Sequence, residues 1–446
     1  MNLLVPKPIT VRDSSLTPAR NRARISICGF IRNNTLGPPP PVLSGHPPAG
    51  ADAGRSCRRT RPSPRVFRHR ETRPGQPHQP SSPRCVDFRV TWWLASLVWC
   101  GVIGTATWLA AQEKRSSSAD IDLARRTEAS GLKLINPEAQ LAIDRGLAYL
   151  ASRQHADGSF GSGSVYRRNV AVTALAGMAF LSAGHVPGQG KYGERVERAV
   201  DFIVQCADPS GYIVQRDSSS HGPMYGHGFA TLFLAEVYGM TLRDDVRSRL
   251  KSAVQLIINS QNKEGGWRYE PDGKDADISV TACQVMALRA ARNCGVAVPK
   301  ATIDHALQYV LSLQNRVDGG FNYQKGPPKS AFPRSAAAVV AIYCAGKYDG
   351  PELQQALAYL GLHQPRGDLL RYEPHYFYGH YYAIQAMWHA GGPTWEHWYA
   401  AIRDELLVRQ LGDGSWPDAL VNNEYGTAMA CLILQMPNNY LPIFQR

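Results

Sequence analysis

Several signals that would assign a function at once are missing from this chain of 446 residues. Its nine cysteines include no Cys-x-x-Cys pair, and the chain has no phosphate-binding glycine loop, no Gly-x-Ser-x-Gly turn and no nucleic-acid motif. The cysteines of the body stand mostly in apolar runs, which is typical of small buried side chains rather than of disulfide or metal chemistry. They are Cys206, Cys283, Cys294, Cys344 and Cys431.

The body of the chain also lacks a net charge. The formal net charge is +13, but residues 1–90 hold 16 Lys+Arg against 4 Asp+Glu, whereas residues 91–446 hold 33 against 32. The basic character therefore belongs to the N-terminal tail. A near-neutral body argues against a nucleic-acid partner.

The tail, residues 1–90, also holds 15 of the 31 prolines, and such a segment cannot bury enough apolar surface to fold. Two interpretations stay open. The tail is a disordered Arg/Pro-rich arm in the cytoplasm that touches anionic lipid, or it is not translated because the start was assigned too far upstream. No methionine follows Met1 before Met178, so a later start needs another codon, for example at Val86 or Val90.

Residues 91–112, TWWLASLVWCGVIGTATWLAAQ, contain no charged side chain. About twenty such residues match the thickness of a hydrocarbon core. Because arginines crowd the N-terminal side, the positive-inside rule predicts a single-pass anchor with the body on the extracytoplasmic, periplasmic side. A signal peptide cleaved near Ala110 and Ala111 is the alternative.

The body repeats one short phrase about every fifty residues: a glutamine, a glycine turn and an aromatic residue. Clear copies begin at Gln154, Gln261, Gln314 and Gln410, and weaker ones lie at Gln205 and around Gln364. Internal repeats of this length are typical of stacked or circular arrays. The spacing predicts six units over residues 138–446, preceded by a linker of residues 113–137.

Each unit contains two helices of different character. An amphipathic helix runs up to the glutamine, as in IDHALQYVLSLQ, and an apolar helix rich in small residues follows the turn, as in SVTACQVMALRAARNCG. The first kind suits an outer layer half in water, and the second suits a crowded inner layer. The sequence therefore predicts an all-α fold, a single α/α toroid of six helical hairpins. An open superhelix of helical pairs is the alternative.

The repeated phrase resembles the QW repeat of squalene–hopene and related terpene cyclases, and also the repeat of the β-subunit of protein prenyltransferases. The resemblance covers roughly residues 138–446 and implies the toroid fold more specifically than it implies a reaction. It also implies that the repeat glutamines bond backbone groups at helix ends while aromatic rings stack on them. The scaffold candidates are Gln154, Gln261, Gln314, Gln410, Trp267 and Trp416.

The stretch DADISVTA resembles the Asp-x-Asp-Asp-Thr-Ala motif of squalene–hopene cyclases, whose central aspartate protonates an alkene. Aligned on the first aspartate, it makes Asp275 and Asp277 the catalytic candidates, with Ile278 in place of a third carboxylate. Aligned on the trailing Thr-Ala, it puts Ser279 at the central position and loses the donor. An acid at Asp277 needs an apolar pocket that keeps it protonated. The other interpretation is that Asp277 only caps the following helix.

In a toroid, the six junctions between turn and inner helix meet at one mouth of the central cavity. Aromatic and polar side chains there predict a ligand pocket. The candidate substrate-binding residues are Tyr225, His227, Tyr376, Tyr378, His380, Tyr381, Trp388 and Tyr425. Further junction residues are Tyr166, Arg168, Asn169, His221, Met224, Phe332, Arg334, His375, Asn423 and Glu424.

The stretch of residues 373–392 is the richest in aromatic side chains, which suits an isoprenoid chain or a carbocation. The alternative is that these rings fill the core of an inner helix. His227 and His380 both follow a Tyr-Gly pair, so they share a position in the repeat. They are either paired cavity residues or repeated hydrogen-bond anchors.

The sequence predicts no metal and no other cofactor. The resemblance implies that protein prenyltransferases hold zinc with an Asp, a Cys and a His in this scaffold, but the matching late repeat has Cys431 deep in a helix and no such set. A metal bound by His221, His227, His375 and His380 is a weaker candidate.

Three classes of function remain, and the sequence does not decide whether the protein is an enzyme. The first is a membrane-anchored toroid that binds a polyprenyl or triterpene-like lipid, with Asp277 starting a cyclisation. The resemblance implies two such barrels in a triterpene cyclase, whereas this chain has one. The second is a non-catalytic extracytoplasmic toroid that binds a protein partner or a glycan. A carbohydrate-active toroid would need paired acids, such as Asp275 and Asp277 with Glu373 or Glu424.

Overall fold

A computed structural model describes residues 134–218, 221–241, 243–366 and 374–445. All of them belong to the unit Asp87–Arg446, one of the two units into which the chain divides. The predicted tail, the apolar segment 91–112 and most of the predicted linker lie outside the described residues. Within those residues, no helix is both long enough and apolar enough to cross a membrane.

Twelve α-helices alternate along the described residues. The odd-numbered helices are α1 (Pro137–Arg153), α3 (Gly193–Cys206), α5 (Asp244–Asn259), α7 (Lys300–Ser312), α9 (Pro351–Gly361) and α11 (Gly392–Arg409). The even-numbered helices are α2 (Val170–Leu181), α4 (Pro223–Tyr238), α6 (Ile278–Asn293), α8 (Phe332–Cys344), α10 (Tyr376–Ala390) and α12 (Asn423–Leu434). Two 3₁₀ turns follow, Met436–Asn438 and Pro442–Phe444.

The even-numbered helices form a closed inner ring. Each packs against the next, and α12 packs against α2, while the odd-numbered helices lie outside them. This arrangement confirms the predicted α/α toroid of six hairpins among the described residues and excludes the open superhelix.

The two layers follow from the composition of their helices. In the inner helix α2, every residue except Ala171 is buried, whereas the outer helix α5 buries only a stripe that includes Val246, Leu250 and Ile257. Small residues let the inner helices approach closely. A Cβ atom added at Gly177 would lie 2.5 Å from the ring of Phe233 in α4.

The repeat glutamines join each turn to the next outer helix. Nε2 of Gln154 donates to the carbonyl of Gly158 in its own turn at 2.9 Å and to the carbonyl of Arg195 in α3 at 2.8 Å. Gln261 and Gln314 make the same two kinds of bond, to their own turns and to α7 and α9. These bonds satisfy carbonyl groups that the turns would otherwise leave unpaired.

The last repeat is joined to the first in the same way. Gln410 donates to Gly414 in its own turn at 3.0 Å and to Ala142 in α1 at 2.8 Å. One turn further along α1, the guanidinium of Arg145 donates to the carbonyl of Leu411 at 2.9 Å. The ring therefore closes with the same contact that links its other repeats.

The chain beyond α12 covers the end of the ring where the inner helices finish. Asn438 donates to the carbonyl of Ser182 at 3.0 Å, just after α2. In α10, the indole of Trp388 donates to the carbonyl of Phe444 at 2.8 Å. The opposite end of the ring, where the inner helices begin, is called the mouth below.

Candidate functional site

A cavity of about 560 Å³ lies at the mouth. Its volume falls within the roughly 300–1,000 Å³ that ligand pockets occupy. Six tyrosines, one from each of the six repeats, line it: Tyr166, Tyr225, Tyr269, Tyr323, Tyr378 and Tyr425. Apolar side chains complete the wall, among them Val172, Leu175, Phe229, Pro333 and Val421.

The charged and titratable groups of the wall are cationic or neutral. Among the described residues, Arg334, His221 and His375 line the cavity and no carboxylate does. The guanidinium of Arg334 lies 5.6 Å from the ring centre of Tyr323. The His221 ring meets Tyr269 edge-on at 4.7 Å between centres. The wall therefore presents aromatic faces together with the guanidinium of Arg334.

Three of the eight predicted substrate-binding residues line this cavity, namely Tyr225, Tyr378 and Tyr425. Tyr225 and Tyr378 come from opposite parts of the inner ring, yet their rings meet edge-on at 6.4 Å between centres. The Tyr378 hydroxyl donates to the carbonyl of Ser279 at 3.3 Å, which ties α10 to the start of α6.

Asp277 lies behind the cavity wall at the start of α6. Its side chain is completely buried, and Oδ1 accepts hydrogen bonds from the amides of Ser279 and Val280 at 2.9 Å each. This is N-cap geometry. The second oxygen, Oδ2, has no hydrogen-bond partner among the described residues, and Nε of Arg268 is 4.0 Å away. Burial raises the pKa of Asp277 to about 6 despite the two amides and the neighbouring Tyr323 hydroxyl, which lower it.

Asp275 has a different environment, although it is only two residues away. Its side chain is 55% exposed, is paired with Arg268 and accepts a hydrogen bond from Nε2 of Gln324 at 3.0 Å. Partial burial raises the pKa of Asp275, but the Ala276 amide and the Arg268 guanidinium outweigh that effect and leave it below the ordinary value. Asp275 is therefore a carboxylate at neutral pH and is not suited to proton donation.

His227 lies between the inner and outer helix layers. Its Nδ1 accepts the amide of Ile213 at 3.1 Å, and its Nε2 lies 3.2 Å from the carbonyl of Ala253. In the next repeat, the hydroxyl of Thr281 accepts the amide of Trp267 in the same way. Burial lowers the pKa of His227 to about 4, so its ring is neutral. The structure therefore places His227 as a hydrogen-bond anchor away from the cavity.

Tyr376 and His380 also lie between α10 and the outer layer. The Tyr376 hydroxyl donates to Glu405 at 3.0 Å, and the guanidinium of Arg409 lies 4.1 Å from its ring centre. His380 packs between the rings of Tyr376 and Phe332, at 4.5 and 5.0 Å between centres, and burial lowers its pKa to about 3. Neither residue lines the cavity.

Tyr381 and Trp388 lie deeper in the ring, towards its far end. Tyr381 packs edge-on against Phe229 at 6.1 Å, below the wall of the cavity. Trp388 is held by Phe444 of the C-terminal segment and packs edge-on against Trp395 at 4.9 Å. Both side chains pack in the core around α10. The sequence left this open as the alternative to a ligand-binding role for the aromatic residues of 373–392.

The sequence reasoning missed two tyrosines that the structure brings together. The hydroxyls of Tyr269 and Tyr323 lie 2.7 Å apart at the cavity wall. Each tyrosine stands two positions after the aromatic residue of its repeat, Trp267 or Phe321. Their equal place in two successive repeats is a signal that could have identified them as a pair.

The described residues do not fit a zinc site of the prenyltransferase kind. No group of three or more His, Cys, Asp or Glu side chains within them could hold a metal ion. Cys431 is buried in α12, where its sulfur lies against Gly146 of α1. His227 and His380 lie between the inner and outer helices, whereas His221 and His375 line the cavity, so the four histidines do not form one group.

The comparisons with known proteins agree on the architecture. Residues 129–326 match the family model of the prenyltransferase alpha-alpha toroid domain. A type II terpene cyclase from Scytonema shares 15% identity at a TM-score of 0.50, with 68% of this chain and 99% of that one covered. No curated protein matches the chain in sequence.

Two carbohydrate-active proteins have a similar fold. Cellobiose 2-epimerase from Bacillus thermoamylovorans shares 13% identity at a TM-score of 0.50, with 65% of this chain and 95% of that one covered. An inactive variant of an alpha-1,6-mannanase from Salegentibacter sp., in complex with alpha-1,6-mannotriose, shares 8% identity at a TM-score of 0.50, with 68% of this chain and 99% of that one covered. The resemblance to the terpene cyclase and prenyltransferase toroids is thus confirmed, but structural likeness at such identities shows the fold alone.

Proposed function

We propose that this toroid binds an isoprenoid lipid in its cavity and that Asp277 supplies the proton that starts a cyclisation. The observation that carries the proposal is a cavity lined by six tyrosines and no described carboxylate, with one protonatable carboxyl group buried behind its wall. A structure of a variant of the Scytonema cyclase holds geranylgeranyl dihydroxybenzoate, the substrate of that enzyme. That complex supports the choice of an isoprenoid ligand.

The surroundings of Asp277 suit an acid that is used once per reaction. With a pKa of about 6, roughly a tenth of the Asp277 carboxyl groups are protonated at pH 7, far more than for an aspartate of ordinary pKa. After the proton leaves, the amides of Ser279 and Val280 and the positive charge of Arg268 stabilise the carboxylate. The faces of the tyrosines would stabilise a carbocation in the cavity, and the apolar wall would limit its reaction with water.

A second candidate is a non-catalytic toroid that binds a glycan or a protein partner. The fold shared with the epimerase and the mannanase favours the glycan. A glycoside hydrolase of the usual kind is less well supported, because it needs two carboxyl groups in the groove. Asp275 is paired with Arg268, and Glu424 is paired with Arg153 at 3.1 Å.

The proposal includes attachment to the membrane through residues 91–112, with the toroid on the extracytoplasmic side. Its support is the length and composition of that segment. Protease treatment of intact and permeabilised cells tests it. The outer face of the membrane must be accessible to the protease in both samples. Digestion of the toroid only after the membrane is permeabilised would then place the toroid on the cytoplasmic side and contradict this orientation.

Lipid extraction and mass spectrometry of the full chain purified from native membranes test the ligand. An isoprenoid should co-purify with the wild-type chain and with Asp275→Asn, and its structure should differ in Asp277→Asn. The same lipid in all three would indicate binding without chemistry at Asp277. No isoprenoid in any of them would favour the glycan or protein partner.

A further inference from the structure

One layer of side chains separates Asp277 from the cavity. Asp277 is completely buried and is not part of the cavity wall, whereas Tyr225, Tyr323 and Tyr378 are. Proton transfer requires the two heavy atoms to approach to roughly 2.6–3.2 Å. An acid behind the wall therefore needs a carrier in the wall if its proton is to reach a ligand.

Tyr323 is placed to be that carrier. Its carbonyl accepts the amide of Ile278 at 3.0 Å, which fixes the tyrosine against the start of α6 next to Asp277. Its hydroxyl favours the carboxylate form of Asp277 and lowers the pKa of that group, and Oδ2 of Asp277 has no hydrogen-bond partner among the described residues. On its other side, the same hydroxyl lies 2.7 Å from that of Tyr269.

The other two tyrosines near Asp277 are less suitable. The Tyr378 hydroxyl donates to the carbonyl of Ser279 and so is already engaged. The Tyr225 hydroxyl is already engaged with the side chain of Ser279. Of the three cavity-lining phenols that sense the charge of Asp277, Tyr323 is the one whose hydroxyl lowers the pKa of the Asp277 carboxyl group.

We infer that Tyr323 carries the proton from Asp277 to the ligand, and that Tyr269 is a positioning residue that orients the Tyr323 hydroxyl. The inference rests on the proposed function. In the step, the O–H bond of Tyr323 breaks as a C–H bond forms on the alkene of the ligand. The Oδ2–H bond of Asp277 breaks as the O–H bond of Tyr323 is restored. One proton thus moves from Asp277 to carbon, which leaves a carboxylate on the protein and a positive charge on the ligand.

Tyr323 and Asp277 have environments that match their roles as proton carrier and acid. Burial and the nearby carboxylate raise the pKa of Tyr323 above its ordinary value, so the tyrosine is neutral before and after the step. Asp277 is the group that changes charge, and it has the helix amides and Arg268 to stabilise its anion. The net acid is therefore the carboxyl group, and the phenol only relays its proton.

The contact between the two residues can be tested without a ligand. Infrared difference spectra of the full chain between pH 5 and pH 8 should contain a carboxylic acid band of Asp277, identified by its loss in Asp277→Asn. Tyr323→Phe should change the frequency of this band and raise its titration midpoint, because the hydroxyl that favours the carboxylate is gone. Tyr425→Phe, which alters the wall away from Asp277, is the control and should leave the band unchanged. An unchanged band in Tyr323→Phe would overturn the inference.

The relay itself is tested with geranylgeranyl dihydroxybenzoate and squalene as probes in D₂O, with deuterium incorporation followed by mass spectrometry. Tyr323→Phe and Asp277→Asn should each lower incorporation by roughly 100-fold or more, and Tyr269→Phe should lower it less. Binding of the probe, measured by equilibrium dialysis, should stay within about twofold in Tyr323→Phe, since only a hydroxyl is removed from a wall that is otherwise aromatic.

The outcomes separate the inference from the proposed function. Conversion by Tyr323→Phe at the wild-type rate, with Asp277→Asn inactive, would overturn the relay and leave Asp277 as a direct acid. Full conversion by Asp277→Asn would overturn both. A wild-type chain that binds the probes and converts neither would also overturn the relay and would favour the non-catalytic toroid.

Discussion

The side-chain amide of Gln410 donates to the carbonyl of Ala142 at 2.8 Å and so joins two residues that are 268 positions apart. The same bond links Gln261 to Thr302 over 41 positions, at 2.9 Å. A contact that joins neighbouring repeats elsewhere in the chain is thus also the closing contact of the ring. Closure lets α1 and α12 cover each other's apolar faces, which an open array would expose at its two ends.

The closing contact should be as important for stability as an internal one. We expect Gln410→Ala and Gln261→Ala each to lower the free energy of unfolding by about 1–3 kcal/mol, because each removes the donor to one turn carbonyl and one carbonyl of the next outer helix. Urea denaturation followed by circular dichroism measures both. A substantial loss for Gln261→Ala with none for Gln410→Ala would mean that the ring is not closed in solution.

Removal of the last repeat should unfold the whole toroid. A chain that ends before residue 400 loses α12 and part of α11, so the apolar faces of α1, α2 and α10 become exposed. We expect such a chain to lack a cooperative thermal transition, which calorimetry would show. A stable, cooperative five-repeat fragment would contradict closure as the source of stability.

Gly414 is required by the closing turn. Its φ is +90°, and a Cβ atom there would lie 2.7 Å from the carbonyl oxygen of Arg145 in α1. Gly163 has a similar φ of +80°, but no atom of the described residues lies within 4 Å of a Cβ added there. We expect Gly163→Ala to cost about 1–2 kcal/mol for the left-handed backbone alone and Gly414→Ala to cost clearly more. Equal melting temperatures for the two variants would argue against the contact.

Asp277 should make stability depend on pH in a defined direction. Its pKa in the folded chain is about 6 instead of 3.8, so the folded chain holds this proton more tightly than the unfolded chain. The resulting contribution, about 3 kcal/mol for a shift of this size, is fully present below about pH 4 and is lost as the pH rises through about 6.

The comparison with Asp277→Asn isolates this effect, because asparagine is also a good N-cap and does not titrate. Denaturation of both chains at several pH values from 4.5 to 7 should show the wild type losing stability relative to the variant as the pH rises. A difference that stays constant over this range would mean that the carboxyl group titrates normally. A variant that is much less stable at every pH would mean that asparagine cannot replace the cap.

The structure places only part of the predicted substrate-binding set at the cavity, and the reason lies in the direction of side chains. His227 and Tyr225 are two positions apart in one Tyr-Gly-His phrase, yet Tyr225 faces the cavity and His227 faces the outer layer. Successive positions of a helix point about 100° apart, so membership in the junction does not decide which side chain reaches the centre. Trp388 lies outside the mouth for a different reason, because it is near the other end of α10.

The sequence by itself determined the architecture, because the glutamine–glycine–aromatic phrase recurs at a nearly constant spacing and the two helices of each repeat differ in polarity. It also identified Asp277 as both a cap and a candidate acid, since that position follows from the motif and from the start of an apolar helix. Only the tertiary structure decided that Asp275 is an exposed, paired carboxylate, that Tyr269 and Tyr323 share a hydrogen bond, and that Asp277 lies behind the wall rather than in it. These features depend on contacts between repeats, where side chains about fifty residues apart meet, and no local pattern specifies the direction in which each of them points.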